Sequence, residues 1–326
     1  MNQCADSPGG ASDRMLQFTQ PLQREVRAAV GYRIGVVTVT YNSQAVLEPF
    51  LRCVFSQTLG DFLLYAVDNG SKDETVELLR RESDPRLRCI LNSDNRGVAE
   101  GNNQGIRAAL ADGCESVLLL NNDTEFDPDL FEVLIWFLSR SRLGMCCPKM
   151  MYFDDQNRIW AAGGELQSWL GYRARHFGLN ELDAGQHDSP RIVTYVPTCC
   201  VLIRRQVFDE IGLMDPRYFV YLDDVDFMYR ALKASVKLLY VPYAKLFHKV
   251  GRLTGGVESP FATRYCTRNR VFFLLQHLGI LRSAPILLIY QAYIALGVIC
   301  GRFNLASFRI KQRAILEGLA LWRAAS

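Results

Sequence analysis

The sequence predicts an α/β fold: a mostly parallel, twisted sheet flanked by helices, followed by a C-terminal helical extension. Three observations carry this. Short β-branched runs end in polar turns and pass into amphipathic helices, the connections are only a few residues long, and beyond about residue 255 strand patterns give way to apolar helical ones. Residues 1–32 then form a loose N-terminal segment, 33–255 the α/β domain and 256–326 a basic helical extension.

The run 34–40 (IGVVTVT) has the composition of a buried parallel strand. It ends in Thr40-Tyr41-Asn42-Ser43, where Asn42 or Ser43 is placed to cap a helix over 45–55. A second strand, 62–67, closes in Asp68-Asn69-Gly70-Ser71. Asn-Gly marks a tight turn, and Ser71 with Glu74 has capping-box spacing for a helix running to residue 81. Strand 88–91 leads through Asn92-Ser93-Asp94-Asn95-Arg96-Gly97 into a helix over 98–111.

Gly97, Gly101 and Gly105 form one stripe of that helix. Two readings stand together: close helix–sheet packing, or backbone room for a ligand beside Asn95, Asn102 and Asn103. A four-residue apolar strand, 117–120, runs into Asn121-Asn122-Asp123-Thr124. Asp127 and Pro128 then open a helix reaching 139, and 145–152 is another strand.

Residues 154–192 lack periodicity and read as a functional loop or irregular insertion, with His176 and His187 as surface histidines. Order returns in 193–203, a helix over 205–211 and a helix opening at Asp223-Asp224-Val225-Asp226. The final strand is 237–241, closed by Pro242, with His248 six residues later. Helices over 261–278, 284–300 and 306–322 complete the chain.

The formal net charge is +3, but from residue 260 onward nine Lys or Arg face one acid, Glu317. This mostly apolar tail lacks the interleaved exposed aromatics of a nucleic-acid groove. An anionic membrane surface suits it better, and the apolar stretch 284–300 sits at the lower length limit for a membrane span. A buried or interfacial helix is the preferred reading there. The ten cysteines show no metal-ligand spacing and read as free thiols in a reducing compartment. No signal-peptide core precedes residue 33, so the expected location is cytoplasmic.

Two acidic stretches carry the chemistry. Asn121 and Asp123 stand at i and i+2, so both project from one side of an extended segment; they read either as an Asn-rich turn, the commoner explanation for three such residues, or as hard oxygen ligands for Mg2+ or Mn2+. Asp223, Asp224 and Asp226 at a helix start exceed what capping needs. Crowding of this kind raises at least one carboxyl pKa and suits a general base.

Thr40-Tyr41-Asn42, Val67-Asp68-Asn69-Gly70-Ser71, Asn95-Arg96-Gly97, Leu119 to Asp123, Leu222 to Asp226 and His248 occur in one order along the chain. In that order the chain resembles glycosyltransferase family 2, in its inverting GT-A, rhamnosyltransferase-like branch. The resemblance implies that Asp68 binds the nucleotide base, with Thr40, Asn42 and Ser71 lining the base and ribose pocket. Asn69, Asn95, Arg96, Gly97, Asn102 and Asn122 join the donor-binding set.

It also implies Asp123 and His248 as ligands of a divalent cation, with Asn121 beside them. Asp224 would be the general base and Asp223 its neighbour. Two positions depart from the family pattern. Asn121 replaces the first Asp of an Asp-x-Asp motif, and Asp223 replaces a Glu. The implied partners are a nucleotide-diphosphate sugar, with dTDP-L-rhamnose suggested by overall similarity and UDP- or GDP-sugars open, and a glycan or polyprenyl-linked acceptor at the inner face of a membrane.

A nucleotidyltransferase is the main rival, but Thr40-Tyr41-Asn42-Ser43 stands where its Gly-rich phosphate loop belongs. A non-catalytic carbohydrate-binding protein leaves the acidic cluster at 223–226 unexplained. Arg268-Asn269-Arg270 reads either as a phosphate contact or as a solvated helix face.

Overall fold

Strand β1 (Ile34–Thr40) is buried along its length except for half-covered Val39, as expected of a strand packed on both faces. It pairs in parallel with β2 (Phe62–Asp68) and β4 (Ser116–Leu120), and β2 pairs in parallel with β3 (Leu87–Leu91). The crossovers are α1 (Gln44–Phe55), α2 (Thr75–Arg81) and α3 (Gly97–Ala111). The computed structural model describes residues 33–140, 142–251 and 259–324.

The glycine stripe of α3 serves packing: a Cβ on Gly101 would fall 2.8 Å from Val39 Cγ1, and one on Gly105 only 2.4 Å from Val37 Cγ1. The capping box does not form, because the Ser71 hydroxyl donates to Asp68 and Asp73 receives the Thr75 N–H instead. Asp127 does not cap with its side chain either; α4 (Leu130–Ser139) starts after Asp129.

The second half of the sheet is more mixed than expected. After β5 (Thr124–Phe126), α4 and β6 (Met145–Tyr152), the chain leaves on a long excursion and returns as β11 (Cys200–Arg204). Cys200 pairs with Leu120, so the return enters at the edge where β4 ends and must run antiparallel to it. With β7 (Ile159–Ala161), β10 (Arg191–Val193) and β12 (Leu238–His248), the main sheet has the order β10-β12-β6-β11-β4-β1-β2-β3, with β5 on β12 and β7 on β6.

The excursion is not irregular. It contains β7 (Ile159–Ala161), β8 (Gly164–Gln167), β9 (Arg173–His176) and β10 (Arg191–Val193), strands too short to show a period in sequence. Fully buried Lys149 anchors it by bonding the Asp183 carboxylate at 2.9 Å.

Helices α5 (Arg205–Ile211) and α6 (Asp223–Lys233) lead to β12 (Leu238–His248). Pro242 does not close that strand. The register against β6 shifts between Val241 and Lys245, and such a bulge accommodates a residue without an N–H. The strand therefore continues to His248.

The extension is a helical hairpin, α7 (Pro260–Ile299) and α8 (Leu305–Arg323), with a break in α7 at Gly279 (φ 72°, ψ 170°). Reciprocal Gln291–Gln312 amide bonds and a small core of Val271, Leu275, Ile294 and Ile315 join its arms.

Candidate active site

The ends of β1 and β2 are stitched into one ledge. The Asp68 carboxylate accepts from the Thr40 and Ser71 hydroxyls through Oδ1, and from the Gly70 and Ser71 N–H groups through Oδ2. Those four bonds fill the capacity of a carboxylate. Asn42, itself in the left-handed region at φ 51°, accepts from Lys72 N–H and donates its own N–H to Ser71 Oγ. Asp68 thus organises the ledge from beneath.

Several neighbours are structural ties. Asn69 donates to Gly97 O and accepts from Asn92, Asn95 accepts from Gly97 N–H, and Asn122 donates to Val39 O at 2.7 Å. Arg96 is exposed beside Asp94, and Asn102 is buried in α3.

Asp123 and His248 meet because β12 extends past its bulge. His248 lies opposite Thr124 in the β5–β12 ladder, and Lys249 N–H donates to Asp123 O. His248 Nε2 stands 3.3 Å from Asp123 Oδ1. That oxygen and His248 Nδ1 are buried without a hydrogen-bond partner. Burial opposes charge on the imidazole, but Cys199 and above all the Asp123 carboxylate outweigh it and raise its pKa; a cation would bind the neutral imidazole and displace that proton.

An orphaned carboxylate oxygen beside an imidazole fits a Mg2+ or Mn2+ ion that takes its other ligands from phosphate and water. Among the described residues no third His, Cys, Asp or Glu joins them, and Asn121 offers only a partly exposed amide.

Helix α6 begins with Asp223 and Asp224 directly after three residues at positive φ: Phe219, Tyr221 and Leu222. Asp224 Oδ2 accepts from Tyr195 OH at 2.6 Å, and its Oδ1 accepts from Val225 N–H. Burial pushes both carboxyls above their usual range, and the Asp224 charge adds to the effect on Asp223. Asp226 behaves oppositely. Burial favours its neutral form, but His277 and Arg230 more than offset this and hold it below the usual range.

The two acidic centres are joined by a continuous series of contacts. His248 packs edge-on against Trp160 (ring centroids 4.4 Å apart), Trp160 against His176 (5.1 Å), and His176 against Tyr195 (5.6 Å), which bonds Asp224. His176 accordingly is no surface histidine: burial holds its pKa down, and it faces the Trp160 carbonyl at 3.2 Å. His187 is also largely buried, between Glu181 and Arg191. Neither Trp160, His176 nor Tyr195 carries a motif. Only the place of Trp160 and His176 in the aperiodic 154–192 insertion pointed toward them, and nothing pointed toward Tyr195.

Arg268-Asn269-Arg270 is not a solvated face. Arg268 and Asn269 bond the backbone carbonyls of 217–221, and Arg270 bonds Leu170 O.

Comparison with known proteins agrees with this architecture. The sequence pattern of the family described as Glycosyl transferase family 2 matches residues 35–212. The Mycobacterium tuberculosis N-acetylglucosaminyl-diphospho-decaprenol L-rhamnosyltransferase is 26% identical over 305 residues, covering 87% of this chain and 98% of its own. A low-salt glycan biosynthesis hexosyltransferase of Haloferax volcanii is 25% identical, covering 73% and 74%.

Among solved structures, a Pyrobaculum calidifontis mannosyltransferase in complex with GDP-Man and Mn2+ superposes with a TM-score of 0.53 at 14% identity, covering 96% of this chain and 95% of its own. GalNAc-T7 with UDP, GalNAc and Mn2+ gives 0.57 at 16% identity. It covers 75% of this chain, which spans 48% of that longer protein. The fold is GT-A, and the chain belongs to glycosyl transferase family 2 as a glycosyltransferase with rhamnosyltransferases among its relatives.

Proposed function

We propose that this chain is an inverting glycosyltransferase that moves a sugar, L-rhamnose first among candidates, from a nucleotide diphosphate to a hydroxyl of a polyprenyl-linked glycan. The observation that carries the reading is the contact series from Asp123 through His248, Trp160, His176 and Tyr195 to Asp224. It puts a potential cation-binding pair and a potential base along one wall. The sugar and acceptor follow the name of the mycobacterial relative.

Asp224 takes the proton from the acceptor hydroxyl, and its raised pKa makes it a better acceptor than an ordinary carboxylate. Tyr195 aims the carboxylate. The Asp68 ledge, with Thr40, Asn42 and Ser71, shapes the nucleoside pocket. Asp123 and His248 would hold Mg2+ or Mn2+, which when bound offsets charge on the departing diphosphate.

The distal arm of α7 exposes Leu281 (91%), Leu288 (70%), Ile289 (71%) and Ile299 (79%) near Arg282 and Arg302. By length and composition α7 is apolar enough to cross a membrane. Its break at Gly279 and its pairing with α8 favour an arm lying on an anionic cytoplasmic surface.

The test is a panel of dTDP-, UDP- and GDP-sugars with Mn2+, read as nucleoside diphosphate release. Asp224→Asn should lower turnover at least 100-fold while donor binding persists. Release of pyrophosphate would instead identify a nucleotidyltransferase, and an Asp224→Asn enzyme of normal rate would remove the base assignment.

A further inference from the structure

The backbone that delivers Asp223 and Asp224 has little local reason to hold its shape. Phe219 sits at φ 66°, ψ −59°, with Val220 N–H donating to Tyr218 O at 2.7 Å, which is the strained form of the γ-turn. Tyr221 (φ 62°) and Leu222 (φ 59°) follow in the left-handed region. None of the three is glycine, so each is disfavoured where it stands.

One restraint comes from α3, where Val98 N–H donates to Phe219 O at 2.6 Å, and the others come from α7. Asn269 is completely buried, and its Nδ2 lies 2.9 Å from Tyr218 O, 2.8 Å from Val220 O and 2.8 Å from Tyr221 O. With two N–H groups for three carbonyls, one bond is shared. Arg268 sets the amide the right way round. Its Nε donates to Asn269 Oδ1 at 2.7 Å, so Nδ2 must face the loop, and its Nη2 bonds Arg217 O and Tyr218 O. Two turns further along, His277 Nε2 meets Asp226 Oδ1 at 2.6 Å. Helix α7 therefore grips the chain on both sides of Asp223-Asp224.

We propose that Asn269, oriented by Arg268, is a positioning residue for the base: it holds the left-handed segment 219–222 so that Asp224 meets Tyr195 and the acceptor hydroxyl. This rests on the reading of Asp224 given above. It gives the C-terminal extension a direct part in the reaction, apart from any contact with lipid.

Asn269→Ala and Arg268→Ala test it by two measurements: amide hydrogen exchange, and the kcat and KM of nucleoside diphosphate release from whichever panel sugar the unmodified enzyme turns over with Mn2+. In Asn269→Ala, exchange over 218–226 should rise at least tenfold while β1 and β4 stay protected. Turnover should fall at least 30-fold with donor KM within twofold. Arg268→Ala should shift both in the same direction, by less, and decides the matter if Asn269→Ala fails to fold. Unchanged exchange over 218–226, or kcat within threefold of normal in the folded variant, overturns the proposal. A normal rate in Asp224→Asn would instead bring down the base assignment, and a chain that releases nucleoside diphosphate from no panel sugar would bring down the transferase reading. In both cases the exchange data still decide whether Asn269 holds the segment.

Discussion

Removing one hydroxyl, in Tyr195→Phe, isolates the most specific contact of the acidic centre. Tyr195 is buried, and its OH donates to Asp224 Oδ2 at 2.6 Å. A hydrogen bond to an ionised group contributes about 1.5–3 kcal/mol, and here it favours the charged carboxylate. Burial already pushes Asp224 upward against that bond. Losing about 2 kcal/mol of carboxylate stabilisation tightens its hold on the proton about 30-fold and so raises its pKa. The base is active when ionised, so the acidic limb of the kcat profile should move to higher pH to match. The phenyl ring keeps its packing against His176, so the fold should persist, with the melting temperature lowered by a few degrees as the buried carboxylate loses its donor. The assay is nucleoside diphosphate release between pH 5 and 9, at saturating donor. An acidic limb that stays in place, with the alkaline plateau also unchanged, would refute the link between Tyr195 and the base.

Three further outcomes follow. Asp123→Ala and His248→Ala should each weaken Mn2+ binding in the presence of nucleoside diphosphate by at least tenfold, read by electron paramagnetic resonance of free Mn2+; unaltered binding would place the cation elsewhere. Asp223→Asn should stabilise the protein by ~1–3 kcal/mol at pH 8. The folded state binds a proton at the Asp223–Asp224 pair above the ordinary carboxylate pKa, so this pair's contribution falls as pH rises through that window, and thermal melts at pH 5.5 should show a smaller gain. Leu288→Glu with Ile289→Glu should abolish cosedimentation with vesicles containing phosphatidylglycerol while leaving release from a soluble donor intact; persistent binding would move the membrane contact off the distal arm.

Much of the framework was legible because it is local. The runs at 34–40, 62–67 and 117–120 are continuous, rich in β-branched and apolar residues and bounded by polar turns, and the structure has strands there, each within one residue of those bounds. The helix break near 279 also showed, as a gap between two apolar patterns. What escaped depends on distant pairing. Pro242 signals an end in sequence, yet the ladder to β6 and β5 carries the strand on to His248. The short strands of 159–193 draw their order from Lys149 and its acid partners rather than from periodicity. Within the site, Asp123 and Asp224 were visible as carboxylates in apolar surroundings. Trp160 and Tyr195 were not, since an aromatic ring becomes informative only when its neighbour is known; Arg268-Asn269-Arg270 stood out, but its carbonyl partners at 217–221 lie far off in sequence.

The ledge built on Asp68 draws every bond described for it from residues 40–75. The apparatus around Asp224 is assembled from Tyr195, the loop after Arg217 and helix α7. The ledge and the acidic centre are thus built from different stretches of chain that meet at α3, where Asn69 donates to Gly97 O and Val98 N–H donates to Phe219 O. Chimeras that exchange the chain after β4 between relatives should keep the nucleotide preference of the first parent and take on the acceptor preference of the second.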